Sequence, residues 1–185
     1  MSSHHALDLD AIEERFRAIV AGTPWRQVED AARASETTLI LANGGNLAIA
    51  QHGATDLTLL TGKRVIAPGS AVTTTAIANE VGFERWLGQW VTDELRGTTA
   101  AQREATMVLG LSCSGVSPAV MDAMHVGTQL GATSVLLTAK QPATPSPAVR
   151  TVTLGAAYYH SAEIIMQLLL YQLAVAQGAS LRRIE

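Results

Sequence analysis

Apolar and polar positions along the chain alternate between two rhythms. Thr38 to Leu41, Lys63 to Ala67, Met107 to Leu111, Ser134 to Leu137 and Val149 to Leu154 are short stretches with the length and residue types of strands. Between them, apolar residues recur at three- and four-residue steps over Leu7 to Val20, Trp25 to Glu36, Asn46 to about Leu60, Ala71 to Asn79, Phe83 to Leu95, Ala119 to Leu130 and Tyr158 to Ala176. Gly22-Thr23-Pro24 and Gly131 close two of these helices, and Lys140 to Pro147 reads as a proline-rich loop. Strand and helix in regular alternation predict an α/β fold with a parallel sheet. The closing helix is apolar nearly all round, so it is expected to be buried within the subunit or in an oligomeric bundle. Its polar residues His160, Glu163, Gln167 and Tyr171 share one stripe, which either reaches a ligand pocket or forms the exposed edge. Trp86 and Trp90, one turn apart with no interleaved basic residues, read as packing rather than as a platform for bases.

Two of the strand-to-helix turns carry candidate chemistry. After the strand ending at Leu111 come Ser112, Cys113, Ser114, Gly115, Val116 and Ser117, and the helix follows directly. The hydroxyls of Ser112, Ser114 and Ser117 can converge with the first amides of that helix into an anion pocket, or they can serve only as caps and turn residues. The turn Ala42-Asn43-Gly44-Gly45-Asn46 also follows a strand and opens a helix, with glycines that allow close approach and two amide side chains at its rim. In one parallel sheet both turns would face each other at the carboxyl ends of their strands, where open α/β sheets bind ligands. One helix further on, His52 and Asp56 stand one turn apart on a common face, either as an acid/base pair or as a surface pair.

Composition narrows the picture. At 185 residues and 48% apolar the chain can bury one sizeable core, read as a single domain over 7–185 after a disordered start at 1–6. A formal charge of −3 gives no basic footprint, so nucleic acid is not expected as a direct partner. The lone Cys113 cannot pair internally and reads as a small buried turn residue. No apolar run is long enough to cross a membrane, and the expected location is the cytoplasm. His4 and His5 are set aside as metal ligands.

Taken in order, Asn43-Gly44-Gly45, His52 with Asp56, Ala76-Ile77-Ala78-Asn79-Glu80 and the Ser112 to Ser117 turn resemble a sugar isomerase (SIS) domain. The Asn-Gly-Gly turn and the His-x-x-x-Asp pair narrow the resemblance to the phosphoheptose isomerase subgroup, which also includes a non-catalytic partner of the bacterial replication initiator. The resemblance runs from about Leu7 to Ala174. It implies the flavodoxin-like SIS fold, a three-layer α/β/α sandwich on about five parallel strands with long terminal helices, assembled as a homo-oligomer, most simply a tetramer. It implies sugar-phosphate binding by Asn43, Gly44, Gly45, Asn46, Ser112, Cys113, Ser114, Ser117 and Glu163, and isomerisation of a ketose phosphate such as sedoheptulose 7-phosphate. Asp56 would be the catalytic base, with His52 beside it.

The chain departs from that family pattern in several places. Asp56 stands for a glutamate, Asn46 for a phosphate-binding serine, Cys113 for a threonine and Ser70 for an acidic loop residue. Aligning Glu163 with the acidic residue of the family's last helix puts Ala162 in place of a glutamine and Leu170 in place of the second catalytic histidine. His160, Glu163 and Gln167 are the candidates left to replace the lost acid. Of the four zinc positions of some relatives only His52 and Asp56 keep ligand atoms, and two rarely suffice, so no metal or other cofactor is expected. The alternative to an enzyme is a non-catalytic oligomeric adaptor or phosphosugar sensor of the same fold.

Overall fold

The computed structural model describes residues 7–181 together with 183 and 184, so the expected disordered start lies outside the described residues. Five parallel strands form one sheet: β1 (Thr37–Ala42), β2 (Arg64–Ile66), β3 (Thr106–Ser112), β4 (Thr133–Thr138) and β5 (Val149–Thr153), in the order β2-β1-β3-β4-β5. Leu39 lies opposite Ile66 on one side and Val108 on the other, and Leu111 opposite Leu137, so the central strands are paired along both edges. Their side chains alternate between two cores. Ile40, Leu109 and Val135 face α1 (Leu9–Ala21), α2 (Thr23–Ala34), α3 (Gly45–Thr61) and α8 (Tyr159–Ala176); Leu39, Leu41, Val108 and Leu136 face α5 (Trp86–Glu94) and α7 (Pro118–Gln129). Burial on both faces explains why these strands read as continuous apolar runs.

Cap chemistry sets several helix boundaries. Asp8 accepts from Ala11 N–H at 2.9 Å to open α1, Ser70 from Thr73 N–H to open α4 (Ala71–Val81), and α3 stops at Gly62, which adopts φ of 70°. Two expectations need correction. A short helix, α6 (Ala100–Glu104), was missed; it is held by a reciprocal capping box between Thr99 and Gln102. The helix expected from Phe83 begins at Trp86, because Gly82 takes φ of 87° and residues 83–85 form a turn. The closing helix α8 buries Ala162, Ile165, Met166, Leu169, Leu170, Leu173 and Ala174 within the subunit and leaves Tyr159, Leu168 and Val175 open along its other side. Helix α4, also apolar in sequence, has no buried residue.

Candidate functional site

The chain runs from β1 outward to β2 and then returns to the other side of β1 as β3, which places the topological switch between β1 and β3. A crevice opens outside the carboxyl ends of strands at such a point, and both candidate turns flank it. Asn43 binds the two together. Its Nδ2 donates to Ser117 Oγ across the crevice at 3.1 Å, while its Oδ1 accepts from the Trp86 indole at 3.2 Å. The fold thus joins residues 74 positions apart in the chain.

On the β1 side, Gly44 adopts φ of 61° with ψ of −137°, a combination open essentially to glycine, and helix α3 starts without a side-chain cap. Gly44 and Gly45 present exposed backbone to the crevice. On the β3 side, Ser112 is buried and its hydroxyl accepts from Gly115 N–H at 3.2 Å, holding the turn. Gly115 has φ of 68°, and a Cβ there would stand 2.7 Å from Thr138 Oγ1. Ser114 accepts from Val116 N–H at 3.3 Å and is partly exposed, as is Ser117. Helix α7 also starts without a side-chain cap, since the Ser117 hydroxyl is turned to Asn43. Two uncapped helix N-termini beside partly exposed hydroxyls favour a bound anion.

Deeper in the crevice sit Asn46 and Cys113. Asn46 directs Nδ2 to Cys113 Sγ at 3.2 Å, and its Oδ1 is buried with no partner, so its amide turns inward rather than to the rim. Burial pushes the Cys113 thiol above its ordinary pKa; the Asn46 hydrogen bond opposes that and the nearby Glu163 charge reinforces it. The thiol therefore stays protonated at neutral pH. Glu163, on the second turn of α8, lies against the start of α3: a Cβ on Gly45 would meet its Oε1 at 2.7 Å. Its carboxylate thus occupies ground where the α3 dipole favours negative charge.

Helices α3 and α8 run side by side from this point, and the second candidate cluster lies further along the pair. His52 Nε2 is 3.3 Å from Asp56 Oδ2 and 3.0 Å from the Tyr171 hydroxyl. Desolvation raises the Tyr171 phenol pKa, and the nearby Asp56 charge raises it further against a smaller opposing contribution from Gln167. Gln167 Nε2 itself has no partner within hydrogen-bond distance. Asp56 and Tyr171 border a cavity of about 310 Å³ with Leu59, Leu60 and Leu181. Leu170 is buried and packs onto Gly53, and Ala162 is buried as well, so the gap between the helices is filled with hydrocarbon at both positions. The acid candidates His160, Glu163 and Gln167 line a different cavity of about 670 Å³, at the amino-terminal part of α8 with Ile49, Leu7 and Asp8.

The structure thus assembles Asn43, Gly44, Gly45, Asn46, Ser112, Cys113, Ser114, Ser117 and Glu163 at one end of α3, and His52 with Asp56 at another place. At 1.5 Å per residue, Gly45 and Asp56 are about 16 Å apart along the helix axis. Sequence reasoning missed Trp86 as the support of Asn43 and Tyr171 as the partner of His52. Only the three- and four-residue stripe on α8 hinted at Tyr171. Among the described residues no cluster of three metal-ligating side chains occurs, and no helix is long and apolar enough to cross a membrane.

No protein-family model matches the chain. A phosphoheptose isomerase of Trichlorobacter lovleyi is 33% identical over 148 residues, covering 76% of this chain and 70% of that protein. A phosphoheptose isomerase of Aliarcobacter butzleri is 37% identical over 109 residues, 55% of this chain and 53% of the relative. Among solved structures, the phosphoheptose isomerase GmhA of Neisseria gonorrhoeae superimposes with a TM-score of 0.74 at 17% identity, covering 92% of this chain and 94% of that one.

Proposed function

The chain belongs to the phosphoheptose isomerase family, and from that premise we propose that it binds a sugar phosphate in the switch-point crevice and interconverts a ketose phosphate and its aldose. Sedoheptulose 7-phosphate, or a ketose phosphate related to it, is the substrate this reading assigns. The observation that carries it is the Asn43 to Ser117 hydrogen bond, which draws two remote loops into one niche between two uncapped helix starts. In that niche Ser114, Ser117 and the backbone of Gly44 and Gly45 hold the phosphate, and Ser112 and Gly115 shape the turn. Asp56 removes the proton from the carbon next to the carbonyl, with His52 beside it.

The two clusters also bear on assembly. Extended chains span about 1.2 Å per bond, so phosphorus and C1 of an open heptulose 7-phosphate are about 10 Å apart, less than the separation along α3. The reading therefore takes the phosphate niche and Asp56 of one productive site from two subunits of a homo-oligomer, with a tetramer the simplest arrangement. The reading takes the enzyme to work in the cytoplasm and without a resident metal.

The reading is tested by incubating the purified chain with sedoheptulose 7-phosphate and related ketose phosphates and following aldose formation, with Asp56→Ala as control. Turnover that Asp56→Ala loses by at least 10²-fold is the expected result. Thermal stabilisation by the sugar phosphate with no turnover at any concentration would instead establish the adaptor or sensor alternative.

A further inference from the structure

Aldose–ketose isomerisation needs one group to move a proton between carbons and another to move a proton between the two oxygens. Asp56 suits the first task. For the second, the resemblance points to a histidine, yet the matching position is Leu170, buried against Gly53 with no proton to give. The substitutes suggested by sequence do not reach Asp56 either, because His160 and Glu163 line the other cavity. The next residue along α8 does reach. Tyr171 places its hydroxyl 3.0 Å from His52 Nε2, which itself stands 3.3 Å from Asp56 Oδ2, and it shares the 310 Å³ cavity with Asp56.

The geometry points to Tyr171 as the oxygen-side acid of this enzyme, its phenol facing the same space as the Asp56 carboxylate. This inference rests on the isomerase reading and adds a residue to it. In the forward step the C1–H bond of the open ketose breaks and Asp56 takes the proton. The released pair forms the C1=C2 double bond, and the carbonyl π pair takes the Tyr171 phenolic proton to give the enediol. The phenolate then takes the O1 proton, C1=O forms, and Asp56 returns its proton to C2. Atoms and charges balance with no further reactant. The Asp56 charge that opposes a phenolate is absent while Asp56 holds the substrate proton, so the two groups work in alternation. His52 is close enough to hydrogen-bond the phenolate in that interval.

The test uses the full chain with Tyr171→Phe, Tyr171→His and Asp56→Ala, measuring kcat and KM on the ketose phosphate that the wild type turns over. Tyr171→Phe is expected to lower kcat about 10²- to 10⁴-fold with KM within about threefold, and Tyr171→His to recover at least tenfold of that loss. A Tyr171→Phe protein with kcat within threefold of wild type overturns the inference and leaves the isomerase reading standing. So does a Phe variant whose loss lies in KM and melting temperature together, with no recovery by His. A wild-type chain that turns over no ketose phosphate overturns both.

Discussion

Asn43 is the residue on which the niche depends, because one small amide is engaged at both ends. Replacing it with Ala leaves the buried Trp86 N–H without an acceptor, and such orphaned groups cost about 1–3 kcal/mol. Asn43→Ala should therefore lower the melting temperature by several degrees and abolish stabilisation by sugar phosphate. Asn43→Asp separates the two effects. It keeps an acceptor for Trp86, so most stability should remain, but it puts negative charge where the proposed sugar phosphate would dock, so calorimetric binding should still be lost. Asn43 and Ser117 were each legible in the sequence as rim residues; their contact was not, since 74 positions separate them and nothing local records the pairing. Trp86 was read as packing, which its burial bears out, but the direction of its N–H is a tertiary fact. Tyr171 was visible only as a member of a polar stripe whose alternatives, pocket or edge, periodicity could not separate.

Among the elements, α5 and α7 approach most closely where Gly88 faces Asp122, and a Cβ on Gly88 would collide with the Asp122 carboxylate. Burial raises the Asp122 pKa, with Arg85 and then His125 pulling it partly back. The folded state thus holds this proton more tightly than the unfolded chain. The contribution is fully present below the unfolded pKa and is lost as pH rises through the folded value. Asp122→Asn should accordingly raise the melting temperature at neutral pH and change it little below about pH 3.8, the ordinary aspartate value, in scans across that range. Long periodic elements were legible because burial on one or both faces writes itself into the order of residues. The five-residue α6 was not, since it buries nothing and its only signature is the Thr99 and Gln102 cap. The start of α5 was misplaced for a related reason. Phe83 looks like a core residue but stays exposed in the turn after Gly82.

For the whole molecule, the sheet order and its switch point follow from regular strand and helix alternation plus right-handed crossovers, so the place of the niche was legible before any contact was known. What the alternation could not say is which faces remain uncovered. Helix α4 buries no residue, with Val72 at 76% exposure, and α8 leaves Leu168 and Val175 open. If the chain assembles as proposed, these uncovered residues are the surface on which it would do so. Sedimentation of the wild type should give a homo-oligomer, and Val72→Glu, which is harmless to an uncovered helix, should shift the mass toward smaller species. An unchanged mass in that variant would remove α4 from the interface.

The packing of Leu170 into the hollow left by Gly53 constrains how this chain can change. A side chain at position 53 would collide with Leu170 Cδ1, so any residue larger than glycine there requires a smaller one at 170 or a wider seam between α3 and α8. What position 53 tolerates is therefore set from the neighbouring helix, and glycine is kept there for as long as leucine stands at 170.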